Sequence, residues 1–260
     1  MTPRNTEKLG EKMQEIRGKA AILTGAAEGL GNKIAHAYAH AGLRTTLIDV
    51  QQAKLMRLAD ELRAQGADCL PIVADLSDAA ATQNAVEQAL AHYGTPRVLV
   101  HNAALLVERS MLEVTFAQWR KETDIILQAA FLLSKAVWKP MIDAGGGSIV
   151  YLSSGSGIKG FVKEIAYCPA KHAQEGLMKS LALEGEPFNI AVNTITPGTP
   201  INTPMSASHY PEELRQRWVD PALLTPAFVY LAGVDASVVT GQRLDAWHLS
   251  QQWTATTISG

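Results

Sequence analysis

Residues 19–42 read KAAILTGAAEGLGNKIAHAYAHAG, and the fold follows from how this stretch is parsed. Ala20 to Thr24 is an unbroken run of small apolar residues, the pattern of a strand buried on both faces. Gly25, Gly29 and Gly31 come next, then apolar residues at helical spacing until Gly42 stops them. The alternation continues along the chain. TTLID reads as a strand, Gln51 to Gln65 as a helix, CLPIVAD as a strand, Ala79 to Tyr93 as a helix and RVLVHNAA as a strand. A long helix from Phe116 to about Ile142 precedes a strand over Ser148 to Leu152. A helix from Ile165 to Gly185 and a strand in NIAVNTI follow. Strands and helices alternating at this period call for a parallel sheet covered by helices on both faces. The expectation is α/β, one doubly wound domain over 18–246, with a polar extension at 1–17 and a tail at 247–260.

Composition narrows the function. The chain has 260 residues, 47% hydrophobic and 18% charged, enough apolar material for a large core. A net charge of -2 gives no basic footprint for nucleic acid or an anionic membrane. No apolar run approaches the roughly 20 residues of a membrane span, and Met1 to Arg17 has no signal-peptide core. The expected location is cytoplasmic, with neither nucleic acid nor membrane as partner. Cys69 and Cys168, the only two cysteines, lack metal-ligand spacing. They read as free thiols, and no metal is expected.

Two stretches carry chemistry. In Thr24-Gly25-Ala26-Ala27-Glu28-Gly29-Leu30-Gly31, glycines between a strand and its helix permit close backbone approach, and the helix N-terminus offers unpaired N–H groups to a pyrophosphate. The spacing is GxxxGxG and not GxGxxG. Asp49 ends the second strand, where a carboxylate can accept from a ribose diol or stand solvated. In the second stretch, Gly145 to Lys171, the buried strand delivers Ser153 and Ser154 at its end, and Tyr167 and Lys171 follow four apart on one helix face. Such a pair is often only a solvated face. Held together, an ammonium about 4 Å from the phenol would attract the phenolate by about 4 kcal/mol at an effective dielectric of about 20, lowering its pKa by roughly three units.

Taken with these motifs, the chain from Arg17 to about Asp245 resembles the short-chain dehydrogenase/reductase family. Thr24 to Gly31 matches the family's glycine motif, and Asp75-Leu76 its adenine-contacting acidic segment. Asn102-Ala103-Ala104 matches its Asn-Ala-Gly, Tyr167 and Lys171 its YxxxK, and Ser154 its serine better than Ser153 does. Pro197-Gly198 and Thr203 match the segment that meets the nicotinamide. The resemblance implies a Rossmann-type fold and hydride transfer between a nicotinamide cofactor and a secondary alcohol or ketone. Ser154, Tyr167 and Lys171 would then be catalytic. Thr24, Gly25, Glu28, Gly29, Leu30, Gly31, Asp49, Asp75, Leu76, Asn102, Ala103, Tyr167, Lys171, Pro197, Gly198 and Thr203 would hold the cofactor. NAD is expected over NADP, because Asp49 and Glu28 both repel a 2′-phosphate. A homodimer or homotetramer is implied, built on the long helices, with Trp247 and Trp253 covering a further contact.

Three departures stand out. Ile126 occupies the position of the family's catalytic asparagine, Ala104 that of a glycine, and LDAWHLSQQW replaces a Gly-Gly close. In members with asparagine the side chain helps hold a water behind the lysine; here Thr123, one turn earlier, or a lid residue is expected to anchor a replacement. Ile126 also motivates a second reading, a non-catalytic NAD-binding sensor or scaffold. A third is epimerisation or dehydration on the same scaffold. The substrate pocket is expected between Leu105, Leu106, the 155–165 loop and a lid over 199–220. Met205, His209, Tyr210 and Trp218 in that lid suit a partly apolar or ring-shaped substrate. Lys159, Lys163, Arg215 and Arg217 are expected to be solvated for the most part, with an acidic group as their alternative partner.

Overall fold

A computed structural model describes residues 15–210 and 212–257, apart from the side chains of Leu214 and of 253–257. Most of the expected 1–17 extension, and the side chain of Trp253, lie outside the described residues.

Seven strands form one parallel sheet: β1 (Ala20–Thr24), β2 (Arg44–Asp49), β3 (Cys69–Val73), β4 (Pro96–His101), β5 (Gly147–Leu152), β6 (Ile190–Thr196) and β7 (Arg243–Asp245), in spatial order β3-β2-β1-β4-β5-β6-β7. Around it lie α1 (Gly29–His40), α2 (Gln52–Ala64), α3 (Ala79–Tyr93), α4 (Phe116–Thr123), α5 (Ala129–Asp143), α6 (Tyr167–Gly185), α7 (Pro204–His209), α8 (Thr225–Ala232) and α9 (Ala246–Thr257).

The period-two geometry of β1 shows why both faces need cover. Ala21 and Leu23 join a core with Ile34 and Tyr38 of α1 and Phe228 and Leu231 of α8. Ile22 joins the opposite core with Val137 and Met141 of α5 and Met178 of α6. A strand buried on both faces has no polar side to spare, as its sequence implied.

The long helix expected from Phe116 is present, and a π-helical turn divides it into α4 and α5 without a break in the helical backbone. A capping box of Thr115 and Gln118 starts α4, and Asp124–Gln128 forms a π-helical turn before α5. At that turn the carbonyls of Ile125 and Ile126 accept from side chains outside the helix, His101 at both and Gln174 at Ile126. The stretch Phe116–Asp143 is also long and apolar enough to cross a membrane, which corrects the sequence reading that no such run exists. In this fold its Leu133, Val137 and Met141 are fully buried.

Where a tail was expected after 246, the chain forms α9. Trp247 and Leu249 pack against the core, and Ser250 Oγ accepts from the Ala227 amide at 3.1 Å and donates to Leu224 O at 3.0 Å.

Candidate active site

The strand order reverses between β1 and β4, so their carboxyl ends splay apart and leave a crevice. A cavity of about 1070 Å³ opens there, lined by the ends of β1, β2, β4, β5 and β6 and roofed by α7 and residues to Trp218.

Its first half suits a dinucleotide. Glu28, at the N-cap of α1, supplies no side-chain cap, so N–H groups of the first turn stay open beside the cavity wall. Gly25 sits at φ +64, and a Cβ there would strike Asn102 and Ala103 at under 3 Å. Asp49, 7% exposed, accepts from the Ala27 amide through Oδ2 and from the Gln51 amide through Oδ1, both at 2.9 Å. These bonds fix its carboxylate at the cavity edge with lone pairs left over. Asn102 Nδ2 ties β4 to the glycine turn through Thr24 O at 3.1 Å and Gly25 O at 2.9 Å. An anion-ready helix end, a fixed carboxylate and a cavity of this size fit a nicotinamide dinucleotide.

The second half holds the reactive side chains. Tyr167 opens α6 at 7% exposure, Lys171 lies one turn on at 1%, and both line the cavity. Ser153 and Ser154 both line it, but the Ser153 hydroxyl is already committed, donating to Glu175 and accepting from Arg243 Nη1 at 2.8 Å. Burial first, then the Glu164 carboxylate, pushes the Tyr167 phenol up, and the Ser154 hydroxyl pulls it partly back. Burial lowers Lys171 to about 7, with Glu175 opposing the shift and Arg243 adding to it. The expected depression of the phenol by the ammonium is therefore absent from this state. Lys171 Nζ stands 5.6 Å from the centre of the Tyr167 ring and directs donors to Leu152 O and to Gln174 Oε1. With desolvation dominating both groups, Tyr167 is a neutral phenol.

Most of the expected cofactor set lines the cavity: Gly25, Glu28, Gly29, Leu30, Asp49, Asp75, Leu76, Asn102, Ala103, Pro197, Gly198 and Thr203. Thr24 and Gly31 lie behind its wall. The Thr24 hydroxyl accepts from the Asn102 and Ala103 amides, each at 3.1 Å. Its one proton therefore goes to His101 Nδ1 at 2.9 Å, which leaves the ring N–H on Nε2 to face Ile125 O and Ile126 O at 3.0 and 3.2 Å. His101 is neutral, lowered to about 4 by burial and by the Lys171 charge. At Gly31 a Cβ would fall 1.9 Å from Gly25 O, so this glycine serves close packing of turn and helix.

Of the expected lid and loop residues, Leu105, Leu106, Met205, His209, Tyr210, Arg217 and Trp218 line the cavity. Lys159, Lys163 and Arg215 do not. Thr123 does not line the cavity, and its hydroxyl donates to Arg120 O at 2.9 Å. Ile126 is fully buried with Leu106, Tyr167 and Ala170. Sequence reasoning missed Glu164, which accepts from Ser156 Oγ at 2.7 Å and Cys168 Sγ at 3.1 Å. It also missed Gln174, and Lys54, which pairs with Glu28 at the cavity rim. Polar residues at apolar-looking helix positions, Gln174 and Glu175 in α6, were the available signal.

Comparison with known proteins points the same way. The short chain dehydrogenase family model matches residues 19–214. A 2,5-dichloro-2,5-cyclohexadiene-1,4-diol dehydrogenase of Sphingobium indicum is 31% identical over 87% of this chain and 93% of its own. A 3-alpha-(or 20-beta)-hydroxysteroid dehydrogenase of Mycobacterium tuberculosis is 35% identical over 86% of each. Among solved structures, the L-sorbose reductase of Gluconobacter frateurii, complexed with NADPH and L-sorbose, superposes with a TM-score of 0.81 at 26% identity, over 90% of this chain and 97% of that one. A protein assigned as an NAD(P)-dependent gluconate 5-dehydrogenase from Beutenbergia cavernae, with NADP at low occupancy, gives a TM-score of 0.82 at 31% identity, over 92% and 98%. Likeness of this extent, running through the glycine turn, the cleft and the Tyr167–Lys171 helix alike, makes the chain a member of the short-chain dehydrogenase family.

Proposed function

We propose that the chain moves hydride between a nicotinamide cofactor and a secondary alcohol or its ketone, with Ser154, Tyr167 and Lys171 as the catalytic residues. Oxidoreduction of hydroxyl groups is what the family and the relatives above have in common. The observation that carries the assignment is the neutral Tyr167 phenol at the cavity wall, with Ser154 beside it and a buried ammonium one turn behind. The bound nicotinamide supplies the hydride acceptor or donor, and its oxidised ring adds a positive charge. Tyr167 Oη, once ionised, takes the proton from the alcohol, or as the phenol gives it to the ketone, and Ser154 Oγ holds the substrate oxygen. With the cofactor bound, the charges of Lys171 and the oxidised ring would together offset the burial that disfavours the phenolate in the free protein. A sensor or scaffold has no use for this triad. The test is NADH formation against a panel of neutral polyols, ring diols, steroids, aryl alcohols and hydroxy acids.

We place neutral, partly apolar hydroxylated compounds first in that panel. Leu105, Leu106, Met205 and Trp218 give the cavity its apolar walls, while Glu164 beside Tyr167 repels an anionic group near the reacting carbon. Arg217 is exposed at the rim.

NAD is our choice of cofactor. Asp49 is fixed by two amides where the ribose 2′ position would lie, and Glu28 stands close by. A 2′-phosphate would face both carboxylates, with Lys54 already paired to one of them. Fluorescence titration is expected to give tighter binding of NADH than of NADPH; equal or tighter NADPH would overturn this choice.

A homodimer or homotetramer fits the apolar side chains left outside, Phe131 of α5 at 51% exposure and Leu183 of α6 at 75%. Light scattering should return a multiple of the 28.0 kDa chain mass, and a monomer would refute it. A cytoplasmic location is in keeping with free thiols at Cys69 and Cys168.

A further inference from the structure

Behind the reactive pair lies a buried polar chain that the proposed chemistry does not use. Gln174, one turn beyond Lys171 on α6, is fully buried. Its Oε1 accepts from Lys171 Nζ at 3.2 Å, and its Nε2 donates to Ile126 O at 3.1 Å. The two ends are not interchangeable: an ammonium can only donate and a carbonyl can only accept, so the amide has one orientation. Ile126 O is held in turn by His101 Nε2 at 3.2 Å, and His101 by the Thr24 hydroxyl at 2.9 Å. The π-helical turn Asp124–Gln128 presents that carbonyl. Ile126, with no polar atom on its side chain, closes the wall against Tyr167 and Ala170. Two protein acceptors, Leu152 O and Gln174 Oε1, thus serve the ammonium from behind.

We propose that Gln174 is a positioning residue for Lys171: its amide, pinned to the π-turn carbonyl of Ile126, holds the ammonium in its charged form and aims it at Tyr167 and the cofactor cleft. The inference rests on the reading of Lys171 as part of the catalytic set. The physical basis is that a hydrogen bond to the charged form of a buried group favours that form. The charged and titratable groups around Nζ are Tyr167 and Glu175 from α6, Arg243 from β7 and His101 from β4. Glu175 and Arg243 are paired with each other and act on Lys171 in opposite senses, and His101 is neutral. Gln174 is the side chain that accepts directly from Nζ.

The test follows Lys171 itself, by nuclear magnetic resonance on the full chain carrying isotope-labelled lysine, with Lys171→Met assigning the signal. The natural chain should titrate at about 7. Gln174→Met keeps the volume and removes both bonds; Lys171 should titrate about one pH unit lower, a tenfold change. Gln174→Glu, which places a carboxylate against Nζ, should move it upward. The pH profile of NADH affinity should shift in the same direction in each variant. Two folded variants that leave the Lys171 titration and the NADH profile where they are in the natural chain would overturn the proposal. If Gln174→Met does not fold, an unmoved titration in Gln174→Glu does so alone. Failure of the natural chain to oxidise any alcohol in the panel would instead overturn the proposed reaction, while the Lys171 titration still decides the role of Gln174.

Discussion

Replacing Tyr167 by Phe lowers turnover by about 10²–10⁴-fold, the usual contribution of a positioned general acid or base, and leaves NADH affinity nearly unchanged. The change removes one oxygen from a side chain that is 7% exposed and packed against Leu106, Ile126 and Ala170, so the ring and its contacts stay. Lys171→Met gives the contrasting result. It takes away the ammonium behind the phenol and a donor facing the cleft, so both turnover and NADH affinity fall. Kinetics with the best alcohol from the panel, set beside NADH fluorescence titration of each variant, separate the two. Substantial activity in Tyr167→Phe would remove Tyr167 from the role assigned to it. The pH profile adds a further check. The neutral phenol of the free protein must lose its proton for alcohol oxidation, so oxidation should rise with pH and the reverse reaction should favour lower pH. Gln in place of Glu164 removes a charge that pushes the phenol up, so the oxidation profile should move to lower pH.

The parts of this protein that were legible in its sequence are those set by local rules. β1 is five buried residues in a row, and a glycine turn between it and α1 could only lie at the carboxyl edge of a parallel sheet. The Tyr167–Lys171 spacing likewise placed both side chains on one helix face. What escaped depends on partners distant in sequence. Thr24 looked like a cofactor residue because it borders the glycine turn, yet its hydroxyl is committed to β4, 77 residues away. The π-turn in the Phe116–Asp143 stretch leaves the composition of the helix unchanged and only shifts the register of its apolar face by one residue, which composition and length do not reveal. Desolvation was the largest omission. Weighing only the ammonium against the phenol ignores that both are stripped of water, and that burial, with the Glu164 charge behind it, turns the Tyr167 shift upward.

Arg243 and Glu175 set a second test of how this cleft is held. Arg243 Nη1 meets Glu175 Oε1 and Ser153 Oγ, and Nη2 donates to Ser154 O at 2.8 Å. Glu175 also accepts from Ser153 Oγ and from Thr194 Oγ1, the latter at 2.8 Å. One guanidinium thus ties β7 to the end of β5, where the cavity-lining serine sits, and to α6, which carries Tyr167 and Lys171. The Glu175 side chain is 8% exposed and that of Arg243 is 23%. Removing the arginine leaves a nearly buried carboxylate without its counter-charge, the case in which breaking an ion pair is most costly. Arg243→Met is expected to destabilise the fold by about 3 kcal/mol, read from urea or guanidinium midpoints at constant slope. Glu175→Met alone should cost about as much, because it strands the guanidinium. The double variant should recover a large part of the loss, since two apolar side chains can fill the space without a desolvated charge. Losses that simply add in the double variant would show that the pair is not coupled. Activity separates packing from positioning. If Arg243 Nη2 holds the Ser154 backbone in place, the double variant should regain stability while turnover stays low.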